Sequence, residues 1–272
     1  VSAGCESPAG VQVHMRVLDW LRLPGEPVDL DEDDPATTLA RARTIQQKPL
    51  LRRLYLEHYT ELAQATSDLS GGLRVELGSG GGFIKEIMPD VQTSDVLDLP
   101  GLDHRCSALD LPFGDETVRA FLMLHVFHHV GDAHRFLSEL DRCLEPGGRV
   151  AMIEPAGTPL ARRMYGTLHP EPCDPAAGWE LAGDGPLTDA NAALPWIVFQ
   201  RDRERFEREF PRLRVRSYTN RRPFSPALTG GVSFRQLVPT MAWGGVRRLE
   251  RLLSPLNDHI GMIAMIELEK AL

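Results

Sequence analysis

Apolar residues recur at three- and four-residue steps through residues 36–69, at Leu39, Ile45, Leu50, Leu54, Tyr55, Tyr59 and Leu62. The spacing predicts a long amphipathic helix with a break at Pro49, where a backbone donor is missing. A shorter amphipathic piece, 11–23, precedes it across an acidic, Pro-bounded linker at 24–37. From Leu73 the period changes. Residues 73–77 read as a short strand, 91–96 as a second, 119–126 as a third that is apolar on both faces, and 149–153 as a fourth. Between them, 83–88 reads as a helix start and 133–144 as a helix with Phe136, Leu137, Leu140 and Leu144 on one side. Strands alternating with helices predict an α/β fold whose parallel sheet is covered on both faces. Past Pro155 the regularity fails until a helix at 201–210 and strand candidates at 213–218 and 261–268.

Two segments do not belong to a minimal sheet of this kind: 156–200, rich in Pro and Gly, and 221–259, apolar and arginine-bearing. Ligands bind open α/β sheets at the carboxyl ends of their strands, so both insertions are candidates for a substrate lid. The organisation expected is an N-terminal helical extension, 1–70, followed by one α/β domain, 71–272. Composition adds exclusions. An ordinary apolar fraction of 42% rules out a wholly disordered chain, and 24 Gly with 21 Pro call for several real loops. Cys5, Cys106, Cys143 and Cys173 are scattered, which argues for a reducing compartment and against a structural zinc site. With no apolar run long enough to span a bilayer and no signal-like start, a cytoplasmic location is expected.

The chemistry concentrates in Glu76-Leu77-Gly78-Ser79-Gly80-Gly81-Gly82, between a strand and a predicted helix. Glycines there let a ligand approach the backbone closely. A dinucleotide fingerprint would need a glycine where Phe83 stands, and a P-loop would need Gly-Lys-Ser/Thr, so both are disfavoured. Asp95 lies 17 residues after Gly78, at the end of the second strand, where an acid suits ribose hydroxyls; Asp98 competes for the role.

These motifs resemble the class I S-adenosylmethionine-dependent methyltransferases, in the family's order. The glycine motif is followed by Asp95, by Leu111-Pro112-Phe113, by His128-His129-Val130 at the fourth-strand end, and by Leu144-Glu145-Pro146-Gly147-Gly148 before the fifth strand. Ser107-Ala108 departs from the usual Asp-Ala, and Arg119 stands where Asp is usual. The resemblance covers about 70–155 and implies a Rossmann-like sheet of seven strands with the last antiparallel. It implies S-adenosylmethionine as cofactor. Glu76, Gly78, Ser79, Gly80 and Gly82 would hold its methionine end, Asp95 its ribose, and Ala108 and Leu109 its adenine, with His125 beside it.

His128 and His129 follow a buried strand at its carboxyl end, where imidazole could take a proton from an acceptor hydroxyl, and Glu154 at the end of the next strand could orient one of them. The trio looks like the His-His and acid arrangement of sugar O-methyltransferases; elsewhere in the family one such ring packs beside the cofactor. His125 would share a strand face with His129 by period two. His169-Pro170-Glu171-Pro172-Cys173-Asp174 gathers polar groups, but spacing broken by proline favours a substrate-side loop over a metal site, and no metal is expected. Tyr165, with Met164 and Leu168, would line the acceptor pocket or seat the lid.

The resulting expectation is methyl transfer to a small-molecule acceptor, a natural product, sugar or glycoconjugate, at oxygen. Carbon or nitrogen methylation is the alternative, as is a cyclase, lyase or pericyclase that binds the same cofactor. A non-catalytic partner fits poorly with an intact glycine loop. Nucleic-acid acceptors fit poorly too, because Phe127-His128-His129-Val130 replaces the Asn/Asp-Pro-Pro-aromatic motif. The net charge of −8 hides an asymmetry: residues 212–251 carry nine arginines against the single acid Glu250. The patch reads either as a solvated arginine-biased surface or as a face for an anionic acceptor or a peripheral membrane contact.

Overall fold

A computed structural model describes residues 21–23, 31, 33–168, 171–181, 185 and 190–272. Residues 11–20 of the amphipathic piece and much of the acidic linker lie outside them. Seven strands form one sheet: β1 (Leu73–Leu77), β2 (Gln92–Asp95), β3 (His104–Arg105), β4 (Val118–Leu124), β5 (Leu144–Pro155), β6 (Leu213–Arg221) and β7 (Ile263–Lys270). Their order is β3-β2-β1-β4-β5-β7-β6. Strands β1, β2, β3, β4 and β5 pair in parallel, while β7 runs antiparallel between β5 and β6. The sheet is the seven-stranded Rossmann-like arrangement expected, with its last strand antiparallel.

The central strands explain their own position. In β4 all residues but Arg119 are buried, so the strand needs cover on both faces. One cover is α3 (Ala133–Cys143), which buries Ala133, Phe136, Leu137 and Leu140 at helical spacing and is capped by Asp132 accepting from Arg135 N at 2.9 Å. The N-terminal extension forms two helices, broken at Pro49 as its sequence predicts. Helix α1 (Pro35–Gln47) and α2 (Pro49–Ala65) meet at Lys48, since Pro49 ends the first and starts the second. Helix α2 buries Leu50, Leu54, Tyr59 and Leu62.

Three expectations need correction, and one strand was not foreseen. The helix foreseen at 83–88 is a 3-10 turn, Ile84–Glu86, because Pro89 and the start of β2 leave no length for more. No helix N-terminus therefore follows the glycine loop directly. The third strand stops at Leu124, not 126: His125 has φ 59°, and this left-handed turn removes the period-two relation between His125 and His129. Residues 146–148 interrupt β5 instead of preceding it. Val118 faces Leu144 and Ala120 faces Arg149, with Gly147 at φ 73° in the excursion between. The two-residue edge strand β3 is too short for any periodicity to announce.

The insertions pack onto this frame. The first contributes α4 (Pro159–Leu168) and a π-helical turn, Ile197–Arg201, ahead of α5 (Arg203–Glu209). The second contributes α6 (Ser225–Thr229) and α7 (Trp243–Leu252). Trp243 is buried against Leu50 and Leu54 of α2, and its indole donates to Glu57 Oε1 at 2.8 Å. Arg222, 2% exposed, pairs with Glu57 at 2.9 Å and with Glu61. Glu250 accepts from Ser225 N at 2.7 Å and holds the start of α6. At least five of the nine arginines in 212–251 are ion-paired among the described residues: Arg212 with Asp141, Arg216 with Glu269, Arg221 and Arg222 with Glu61, and Arg247 with Glu57. Much of the +8 stretch thus meets acids from the rest of the chain and joins the insertion to α2. No helix among the described residues is long and apolar enough to cross a membrane.

Candidate active site

A cavity of about 1080 Å³ opens above the carboxyl ends of β1, β2 and β4. Four parts of the chain wall it: the loops of the sheet, the two N-terminal helices, the first insertion through Met164, Tyr165 and Glu171, and the second insertion from Pro226 to Leu237. Every residue expected at the cofactor lines it, namely Glu76, Gly78, Ser79, Gly80, Gly82, Asp95, Ala108, Leu109 and His125. His128 and His129 line it too; Glu154 does not.

The glycine loop turns on two left-handed residues, Gly78 at φ 62° and Gly80 at φ 50°. A Cβ on Gly78 would stand 2.6 Å from the Val126 side chain, so the loop and the β4 turn approach as closely as backbone allows. A Cβ on Gly81 would stand 2.1 Å from that of Ala42, which is how α1 seats on the loop. Asp95 is 5% exposed; its Oδ2 accepts from Gly80 N at 2.7 Å and its Oδ1 from Leu97 N at 2.9 Å. A carboxylate has about four acceptor directions, so capacity remains for ligand hydroxyls. Asp98, its competitor, is exposed, lies 3.7 Å from Arg105 and does not line the cavity.

Glu76 is the unusual acid. It is 1% exposed, and its Oε2 has no hydrogen-bond partner among the described residues. Burial pushes its carboxyl up to about 7; the nearby Asp95 carboxylate adds to the rise, while hydrogen bonds with Ser79 and Tyr59 oppose it. A buried acid with an unused oxygen on a cavity wall suits a cationic ligand group.

On the other side of the β4 turn, Glu154 is fully buried, and its Oε1 accepts from Val126 N at 2.9 Å and Phe127 N at 2.7 Å. Its Oε2 lies 2.7 Å from His128 Nδ1. His128 Nε2 in turn lies 3.3 Å from Glu171 Oε2, and His129 Nε2 lies 3.8 Å from Glu171 Oε1. The two imidazole centroids are 4.2 Å apart. Burial alone would lower the His128 pKa, but hydrogen bonds to Glu154 and Glu171 outweigh it and carry it up to about 10. Burial likewise works against ionised Glu154, yet the His128 contact holds its carboxyl below the ordinary value. Glu154 therefore positions His128 from behind, and the cavity sees the imidazole edge.

Residues 156–200 bring Glu171 to the histidines, so the segment read as a substrate-side loop supplies a side chain to the site. His169 and Pro170 lie outside the described residues. Met164 and Tyr165 line the cavity, with the Tyr165 hydroxyl donating to Met262 O at 3.0 Å. Sequence reasoning missed the contribution of the N-terminal helices. His58 is 1% exposed, lines the cavity, and neither ring nitrogen has a partner among the described residues. Burial, reinforced by Arg222, drives its pKa well below the ordinary value and keeps the ring neutral. A polar residue on the apolar face of α2 was the available signal.

Residues 75–152 match the family model described as a methyltransferase domain. Over that stretch the chain is similar to methyltransferase domains, as the order of its motifs led one to expect. No curated protein matches it. Among solved structures it is similar to the geranyl diphosphate C-methyltransferase of Streptomyces coelicolor A3(2), in complex with Mg2+, geranyl diphosphate and S-adenosyl-L-homocysteine. Identity is 17%, with 90% of this chain and 91% of that chain covered and a TM-score of 0.48. A S-adenosylmethionine-dependent methyltransferase from Mesorhizobium loti is 13% identical over 78% of this chain and 96% of that one, with a TM-score of 0.45. The residues present fit S-adenosylmethionine: the buried Glu76 oxygen without a hydrogen-bond partner among the described residues suits an ammonium group, and the loop that turns on Gly78 and Gly80 runs along the cavity wall beside it. When bound, S-adenosylmethionine supplies an electrophilic methyl group on a sulfonium.

Proposed function

We propose that the enzyme methylates an oxygen nucleophile on a small-molecule acceptor, with the glycine-loop side of the cavity for cofactor and the N-terminal helices and second insertion for acceptor. Glu76 holds the methionine ammonium, Asp95 the ribose hydroxyls, and residues 106–109 the adenine. The observation that carries the oxygen assignment is the Glu154–His128–Glu171–His129 cluster, with Glu171 within 3.3 Å of one imidazole and 3.8 Å of the other. Such a cluster activates a hydroxyl by holding it and relieving it of its proton, and Glu154 keeps the His128 ring from turning. The neutral His58 imidazole can donate to or accept from a polar group of the acceptor. Helices α1 and α2 and the insertion together wall the cavity in which acceptor and cofactor meet.

The test is incubation with S-adenosylmethionine and a fractionated metabolite extract. The expected products are S-adenosylhomocysteine and an acceptor heavier by one methyl group, whose attachment at oxygen is read by NMR. Methylthioadenosine would place the enzyme among cyclases or lyases instead, and a new C–methyl or N–methyl signal would overturn the oxygen assignment. On an identified acceptor, His129→Ala is expected to keep cofactor affinity and lower turnover by about 100-fold or more, the usual scale for a lost proton-transfer group. Full turnover would remove His129 from the chemistry.

Asp95→Ala is expected to weaken cofactor binding by calorimetry about 10- to 100-fold, the scale of a lost charge-assisted hydrogen bond. Asp98→Ala leaves affinity unchanged. Equal effects of the two would return the ribose role to Asp98.

A further inference from the structure

We infer that His128, His129 and Glu171 form a binding site for one divalent transition-metal ion, placed at the acceptor end of the cavity. The site deepens the reading just given and rests on it for its role in catalysis, but not for its existence.

The first support is geometric. Each of the three residues offers one ligand atom, and the atoms lie within 4.8 Å of one another. His128 Nε2 and Glu171 Oε2 are 3.3 Å apart, and His129 Nε2 and Glu171 Oε1 are 3.8 Å apart. Two ligands about 2.0–2.2 Å from a tetrahedral ion stand roughly 3.4 Å from each other, so a small ion fits between them with minor adjustment. The second support lies behind the ligands. Metal-bound histidine commonly gives its other ring N–H to a carboxylate, which fixes the tautomer and aims the free nitrogen at the ion. Glu154 does this for His128 at 2.7 Å, and Glu154 is itself immobilised by two backbone N–H groups.

Two imidazoles and one carboxylate select the class of ion. They suit zinc, iron, cobalt or nickel, with positions left open, whereas Mg2+ prefers oxygen ligands and retained water. The cavity supplies the open side, since all three ligands line it. An acceptor hydroxyl coordinated there loses its proton to solvent more easily. Its oxygen lone pair then forms the C–O bond while the methyl C–S bond breaks, and sulfur keeps that pair.

The experiment uses untagged full-length enzyme dialysed against a chelator, then titrated with Co2+ by visible absorption and with Zn2+ by calorimetry. The expected result is one ion per chain, Zn2+ displacing Co2+, and no displacement by equimolar Mg2+. Glu171→Gln and His129→Ala each weaken binding at least 100-fold. Glu154→Gln, which touches no ion, weakens it about 10- to 100-fold. Asp98→Asn, on the exposed surface, leaves it unchanged, and circular dichroism confirms that each variant is folded. Absence of stoichiometric binding by the wild type would overturn the inference, as would equal binding by Glu171→Gln. Neither result depends on methyl transfer, so metal binding can fail while the methylation reading stands, and the reverse.

Discussion

Glu76→Gln is expected to make the enzyme without cofactor more stable at pH 8 and, at the same time, to destroy its grip on S-adenosylmethionine. Glu76 is fully buried with an unbonded oxygen, and burial pushes its carboxyl up to about 7. A raised acid contributes nothing below its unfolded value near 4.3, where both states are protonated. As pH rises from there through about 7, the folded state increasingly carries a charge it solvates poorly, and stability is lost. The full loss is about 3 kcal/mol at 1.36 kcal/mol per pKa unit, or very roughly 5–10 °C in Tm for a chain of this size. Glutamine removes the charge and keeps the volume. The gain over wild type is therefore expected at pH 8 and absent near pH 4 by thermal unfolding. Cofactor affinity, measured by calorimetry, is expected to fall about 100-fold in the variant and to rise with pH from 6 to 8 in the wild type. A variant no more stable than wild type at pH 8, or one that binds the cofactor equally well, would show that Glu76 is not a charge kept for the ligand.

The largest loss of stability is expected from Glu154→Ala. The substitution leaves the Val126 and Phe127 N–H groups without their acceptor and the buried His128 without its nearer counter-ion. Breaking a buried pair by removing one partner costs about 3–5 kcal/mol. The pH dependence follows from the two shifts. Glu154, lowered, contributes above its unfolded value and loses that contribution as pH falls through its folded one. His128, raised, contributes fully below its unfolded value near 6.5 and loses that contribution as pH rises towards about 10. The difference between wild type and variant should thus be widest at about pH 5–6.5 and narrow as the solution becomes alkaline, as read by urea unfolding. Glu154→Gln retains one acceptor oxygen and is expected to lose less. A flat pH dependence would mean that packing, not the ion pair, carries the effect.

Much of this enzyme was written locally. Period-two and period-3.6 patterns located β1, β2, β4, β5 and α3, because burial between two layers imposes its own spacing on any sequence that occupies it. Pro49 marked the boundary of α1 and α2 for an equally local reason, the missing N–H. The glycine loop and Asp95 were legible because close backbone approach and a strand-end acid have few alternative residues. Misreadings arose where a local rule was overruled. Residues 83–88 had helical residues but no room before Pro89, and His125 took a left-handed conformation that no residue type announces.

What only the tertiary structure decided is which distant side chains meet. Glu171, in a proline-rich loop, reaches His128 and His129; His58 turns a polar edge into the cavity from α2; and Arg222 joins the second insertion to Glu57 and Glu61. The same contacts pair part of the arginine-rich stretch with acids elsewhere in the chain, with Arg222 buried and Arg212 and Arg216 still half-exposed. The sequence alone determined the central strands and the glycine loop, whose chemistry is carried by neighbours in the chain. The wall built by Glu171, His58 and the second insertion depends on contacts across more than 40 residues, and such contacts leave no periodic trace because chain closure, not local conformation, brings them together.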